Sequence, residues 1–128
     1  MSNYPSDLKY TKDHEWAKKA GANVVVGVSF HAQDALGAVV YVELPKVGTQ
    51  VKAHATFGVI ESTKAVSELF APVSGKVVKV NDAVTANPGS VNEDPYAAWL
   101  VEIEPSSGAE FDALMDQPTY VKSLDAAH

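Results

Sequence analysis

Lys64 has the surroundings in this chain best suited to chemistry. It sits in Ser62-Thr63-Lys64-Ala65, between the apolar runs Phe57 to Glu61 and Val66 to Ala71. Two short strands flanking four such residues predict a hairpin with Lys64 at its tip. A lysine amine on its long stem can be acylated, and a tip on a rigid scaffold offers it to an attaching enzyme and then to a partner's active site. Ser62, Thr63 and Ala65 are small enough to leave that approach open, while Val59, Ile60, Val66 and Leu69 are expected to anchor the strands. Spacing alone carries this only part of the way. A turn lysine is ordinarily a solvated surface charge, and Lys64 is one of ten lysines.

Other constellations are weaker. His14-Glu15 has the composition of an acid–base pair, and His31 and His54 have the donor atoms of a metal site. Neither an HxxxH nor an HExxH spacing occurs, and zinc demands three or four converging ligands, so no metal is expected. No glycine-rich phosphate loop and no nucleophile elbow is present. Trp16 and Trp99 are most simply core aromatics.

Composition narrows the classes further. The chain has 128 residues, 46% of them hydrophobic, which fits one domain over 1–128 with a sizeable core. Its net charge is −6 and all ten basic residues are lysine. Without the planar fork of arginine, an acidic chain is a poor partner for nucleic acid or an anionic membrane. Basic partner surfaces suit it better. The absence of cysteine excludes disulfides, thiol catalysis and cysteine metal sites. The first seven residues lack the basic and apolar regions of a signal peptide, and no apolar run approaches membrane-spanning length. A cytoplasmic protein is the expectation.

The elements that must position these residues are short. Leu8, Tyr10 and Trp16 predict a strand or hairpin, and Asn23 to Val28 predicts a buried strand. Ser29 is placed to cap a helix through His31 to Leu36, with Gly37 ending it. Strands follow at Val39 to Leu44, at Val51, on both sides of Lys64, and at Lys76 to Val80. Residues 81–98 read as a loop through Asn87-Pro88-Gly89 and Asp94-Pro95, and Trp99 to Ile103 as the last strand. The tail reads as helical over 108–125, with Phe111, Leu114 and Met115 at helical spacing and Pro118 interrupting the pattern. Gly37 to Val42 and Gly75 to Val80 share the pattern G-x-V-V-x-V, which would give two similar β-units with the Lys64 hairpin between them, at one end of a small sandwich or flattened barrel.

Phe57-Gly58-Val59-Ile60-Glu61-Ser62-Thr63-Lys64-Ala65-Val66-Ser67-Glu68 closely resembles the lipoylation segment of the glycine cleavage system H proteins. Further blocks resemble that family in the same order: Tyr10-Thr11-Lys12-Asp13-His14-Glu15-Trp16, His31 to Gly37, Val42 to Gly48, Ala71 to Gly75 and Val91 to Tyr96. The likeness spans about residues 8 to 103, and several ordered blocks are far more specific than one motif. It implies a mainly β barrel-sandwich hybrid of the lipoyl/biotinyl-domain type, with short helices including a C-terminal helical segment. The lipoyl hairpin would cover 57–73, and lipoate would be amide-linked to Lys64. The resemblance implies a monomeric, non-catalytic carrier. Its partners would be a PLP-dependent glycine decarboxylase, a tetrahydrofolate-dependent aminomethyltransferase, a dihydrolipoyl dehydrogenase and a lipoylating enzyme. Its setting would be a bacterial cytoplasm, or the mitochondrial matrix in a eukaryote. By alignment Asp13, Glu15 and Glu68 fall on the cleft that shelters the aminomethyl-loaded arm, and Glu43 and Glu61 near the hairpin fall where the family is recognised by its partners.

Four places depart from the family pattern: Ala38 where an acid is common, Thr63 before the lysine where Val is common, His54-Ala55-Thr56 in place of a glycine-containing turn, and the shortened Pro95 to Trp99 stretch. Two rivals share the modified lysine. A lipoyl domain of a 2-oxoacid dehydrogenase lacks the N-terminal block and the tail, and a biotin carrier flanks its lysine with Met. An H-like lipoyl donor and an unmodified interaction module stay open at this level.

Overall fold

The computed structural model describes residues 4–126, with side chains to 124. Nine strands and five helices follow one another along it. They are β1 Lys9–Tyr10, β2 Glu15–Ala20, β3 Asn23–Val28, α1 Phe30–Leu36, β4 Val39–Glu43, β5 Gln50–Val51 and β6 Thr56–Ser62. Then come β7 Val66–Phe70, β8 Gly75–Val80, α2 Asp82–Ala86, α3 Ser90–Glu93, β9 Val101–Pro105, α4 Gly108–Asp112 and α5 Gln117–Ala126. A six-stranded sheet runs β1-β2-β3-β9-β8-β5, and a three-stranded sheet runs β4-β6-β7. Every pairing within them is antiparallel.

The inward residues of both sheets meet in one core. Val24, Val26, Val77, Val101 and Ile103 from the large sheet pack in the same cluster as Val39, Val42, Phe57, Ile60 and Leu69 from the small one. This is the period-2 burial of a sandwich, in which each strand gives one face to the interior. The two G-x-V-V-x-V segments lie on opposite sides of it, with β4 in the small sheet and β8 in the large one. The Lys64 hairpin belongs to the small sheet.

A second cluster closes the β1–β2 end. Leu8, Tyr10 and Trp16 pack with Tyr120 and Leu124 of α5. The Tyr10 and Tyr120 rings stack at 4.5 Å between centroids, and the backbones of Tyr10 and Met115 exchange hydrogen bonds of 2.8 and 3.0 Å. The Trp16 indole lies close against its cross-strand partner Gly27 and donates its N–H to Pro95 O at 3.1 Å. A Cβ on Gly27 would come within 2.5 Å of that indole. Gly27→Ala is therefore expected to destabilise the fold by about 1–3 kcal/mol, the usual cost of overpacking. A urea midpoint unchanged by the substitution would refute the close approach as a stability determinant.

Three segments differ from the sequence expectation. Residues 81–98 are not one open loop but carry α2 and α3, each a turn or so long, with Val84 and Val91 buried. Asn81, Asn87, Pro88 and Gly89 sit at caps and connections, so turn composition concealed two helical turns. The last strand begins at Val101 rather than Trp99. The helical tail is interrupted, but over 113–116 between α4 and α5 rather than at Pro118, which lies in the first turn of α5, where its missing N–H costs no helical bond.

Candidate functional site

The hairpin that presents Lys64 is built by β6 and β7, with Glu61↔Val66, Ile60↔Ser67 and Val59↔Glu68 in register. Ser62 shapes the tip. Its N–H donates to Ala65 O at 2.8 Å, and its Oγ accepts from the N–H groups of Lys64 and Ala65 at 3.3 and 3.1 Å. A serine hydroxyl bonding the backbone two and three residues on is a local turn device. The Thr63 N–H donates outside the hairpin, to Ala38 O at 3.1 Å. Thr63, Lys64 and Ala65 are all exposed.

Gly37 ends α1 beside the lysine. Its φ is +80°, a conformation that favours glycine. A Cβ there would stand 3.4 Å from Lys64 Cε. The end of the Lys64 stem therefore lies beside the end of α1, at ordinary contact distance from any Cβ placed at 37, so it is the positive φ that favours glycine there. The helix itself follows the predicted signals: Ser29 Oγ accepts from the Ala32 N–H at 3.4 Å, and the Gly37 N–H returns to Gln33 O at 3.0 Å.

The expected anchoring of the strands holds for two of four residues. Ile60 and Leu69 are buried, at 1% and 2% exposure, and Val59 is half-buried. Val66 is 67% exposed and anchors nothing. It sits opposite Glu61, which sits opposite Tyr41, itself 45% exposed. Strand alternation puts this row on the outer face of the small sheet. The next outward row is Glu43, Val59 and Glu68. A register irregularity between Val39 and Tyr41 leaves consecutive Val40 and Tyr41 both exposed, as a bulge does by re-aiming side chains. Glu43, Glu61 and Glu68 thus share one face beside the lysine, around the apolar Tyr41 and Val66.

Glu15 is placed very differently. It opens β2 and is 2% exposed. Its Oε1 accepts from Thr11 Oγ1 at 2.7 Å, and its Oε2 accepts from the Phe70 N–H at 3.3 Å. β7 is the edge of the small sheet, so this carboxyl ties an otherwise open strand edge to the large sheet. It does so two residues beyond Glu68. Burial pushes the Glu15 carboxyl up to about 8, against the opposing pull of the Thr11 and Phe70 hydrogen bonds. Asp13 is half-buried, and its N–H donates to Thr11 Oγ1 at 3.2 Å. Glu68 is exposed and its Oε1 accepts from Thr56 Oγ1 at 3.3 Å. Thr11 and Phe70 were not singled out from sequence, and nothing in their types or spacing flagged them.

His14 and Glu15 do not act on one another. His14 Nδ1 lies 2.8 Å from the Tyr120 hydroxyl, and its ring stands 4.3 Å from that of His31. Burial, with His31 beside it, lowers the His14 ring below its ordinary value. The Tyr120 hydroxyl is also 2.8 Å from Ser29 Oγ. These groups join β2, α1 and α5 rather than framing a substrate. Among the described residues, no three or more His, Asp or Glu side chains converge on a point that could hold a metal ion. His54 takes a φ of +71° in the turn where the family pattern has glycine, and its N–H donates to Ala71 O at 2.8 Å.

The chain and its fold have close counterparts. The family model for the glycine cleavage H-protein matches residues 8–127. The chain belongs to the glycine cleavage H-protein family. A glycine cleavage system H protein of Myxococcus xanthus is 62% identical over 123 residues, covering 95% of each chain. One of an Anaeromyxobacter species is 56% identical over 117 residues, covering 91% of each. The crystal structure of a glycine cleavage system H protein from Mycobacterium marinum superposes with a TM-score of 0.87 at 39% identity, covering 94% of this chain and 98% of that one. The mainly β barrel-sandwich architecture expected of an H protein is the one observed, short helices and C-terminal helix included. H proteins are carrier components of the glycine cleavage system rather than enzymes, and this chain is one of them. Among the described residues no helix is long and apolar enough to cross a membrane.

Proposed function

We propose that Lys64 is the lipoyl attachment site and that the chain works as the lipoyl shuttle of the glycine cleavage system. The single observation behind this reading is the hairpin tip. An exposed lysine stands on a turn shaped by Ser62, its stem beside Gly37, on a hairpin pinned by buried Ile60 and Leu69. These residues suit a long covalent arm, which needs an accessible amine on a steady base and open space around it. When bound, lipoate supplies a redox-active dithiolane that takes the aminomethyl group of glycine from the PLP-dependent decarboxylase, yields it to the tetrahydrofolate-dependent aminomethyltransferase, and is reoxidised by dihydrolipoyl dehydrogenase. The protein supplies no thiol of its own, having no cysteine. The setting proposed is the cytoplasm, with the chain monomeric.

The chain's own residues have three tasks in this reading. Lys64 Nζ forms the amide and tethers the arm. Glu43 and Glu61 mark the outer face of the hairpin for the lipoylating enzyme and the partner enzymes, which would meet it with basic groups. Asp13, Glu15 and Glu68 shelter the loaded arm's terminal amine. Glu15 suits that task because an arriving ammonium favours its ionised form, offsetting the burial that otherwise keeps it protonated. Glu15→Ala is expected to speed loss of the aminomethyl group from the loaded protein. Unchanged decay of the loaded form, followed by mass spectrometry, would remove Glu15 from the shelter. The shuttle itself is tested by the intact mass of the protein expressed in cells supplied with lipoate. A gain of one lipoyl group, mapped to the peptide holding Lys64, is expected. An unmodified mass under those conditions would overturn the carrier reading.

A further inference from the structure

The hairpin tip is shaped from within but oriented from without. Ser62 fixes the turn, yet the turn's tie to the body of the protein runs through residues 37–39. The Thr63 N–H donates to Ala38 O, Lys64 Cε lies against Gly37, and Val39 pairs with Ser62. Ala38 is exposed and Gly37 is in a left-handed conformation, so the packing of this segment comes from Val39 alone, which is buried in the core. One side chain from a distant part of the sequence holds it on both sides. Asn92 Oδ1 accepts from the Val39 N–H at 2.8 Å, and Asn92 Nδ2 donates to Gly37 O at 2.8 Å and to Gln33 Oε1 at 3.1 Å. Asn92 sits in α3, which is seated in the core by Val91 at 0% exposure.

We propose that Asn92 is the positioning residue for Lys64, clamping the Gly37–Val39 segment on which the hairpin tip rests and so setting the direction in which the lysine is offered to the lipoylating enzyme. The inference rests on Lys64 being the modified residue. An asparagine amide is suited to the task because it accepts and donates at once, matching one free N–H and one free carbonyl two residues apart. An aspartate would keep the acceptor for Val39 but face Gly37 O with a second acceptor. Without the clamp, the tip samples orientations the enzyme cannot use, and its apparent affinity falls by the fraction of time spent in the usable one.

The test uses the full-length apo protein with a lipoate-protein ligase, lipoate and ATP. Asn92→Ala is expected to raise the KM for the carrier about three- to tenfold with kcat retained. Amide hydrogen exchange should show lost protection at Thr63 in the same variant. Val77→Ala, which removes a buried methyl pair from β8 in the opposite sheet, provides a destabilised control whose KM and Thr63 protection stay at wild-type values. Should Asn92→Ala not fold, Asn92→Asp carries the same two readouts in the same direction. Wild-type KM and Thr63 protection in a folded Asn92 variant would overturn the proposal, and so would an equal KM rise in Val77→Ala. Failure of the wild-type protein to accept lipoate would instead overturn the Lys64 reading, while Thr63 exchange still decides the role of Asn92.

Discussion

Lys64→Ala is expected to abolish lipoylation and, with it, all shuttle activity in a reconstituted glycine cleavage reaction. The fold should be untouched, because the side chain is exposed and the tip's hydrogen bonds are made by backbone groups of residues 62–65 and by the Ser62 hydroxyl. Lys64→Arg should fail equally, since a guanidinium stays protonated and does not form the amide. The loss should be complete rather than partial, because nine other lysines lie outside this hairpin tip. Intact mass after incubation with ligase, lipoate and ATP reads the outcome, with the urea midpoint as the check on folding. Residual single-site lipoylation in Lys64→Ala would show that another lysine is the target. Glu61→Lys provides the graded counterpart. It leaves Lys64 in place but reverses a charge on the outer face between Tyr41 and Val66, so it should slow lipoylation without abolishing it.

Glu15→Gln is expected to remove a pH dependence from the stability of the protein. In the folded chain burial holds the Glu15 proton up to about 8, whereas an unfolded chain would hold it only to the ordinary value of 4.5. Between those two values the folded state binds the proton and the unfolded state releases it. Stability from this group is therefore fully present below the ordinary value and is lost as pH rises towards 8, with a slope on the order of 1 kcal/mol per pH unit. Glutamine has the same shape and no titration, so its stability curve should be flatter across that window. Urea unfolding of both proteins at several pH values from 5 to 8 would measure the slopes directly, roughly spanning the interval over which linkage applies. Parallel slopes would show that Glu15 is ionised in the folded protein. The functional corollary concerns cargo: an arriving ammonium would let Glu15 ionise at neutral pH, so binding the loaded arm should release a proton and weaken as pH falls.

The sequence carried further for the hairpin than for the acids around it. The strands on either side of Lys64, the Ser29 cap and the Gly37 stop are local features, written in alternation and in the conformational preferences of single residues. They appear where expected. Composition was equally direct, because the absence of cysteine and arginine is independent of the fold. Val66 shows where local reading stopped. Its type predicted an anchor, but register with Glu61 turned it outward to 67% exposure. Residues 81–98 show the same limit, since cap residues and loop residues are chemically alike.

The tertiary structure alone decided which groups meet. It separated His14 from Glu15, sending one to Tyr120 and His31 and the other to Thr11 and Phe70. It brought Glu15 to the edge of the hairpin sheet across 55 residues, and Asn92 to Gly37 across another 55. Neighbouring side chains on a strand point to opposite faces, and what each then touches depends on how the two sheets are stacked and where a bulge shifts the register. Those are properties of the whole packed chain. The lysine proposed to carry the arm stands out in twelve consecutive residues, whereas the carboxyl proposed for its cargo and the amide proposed to steady it come together only once the sandwich has closed.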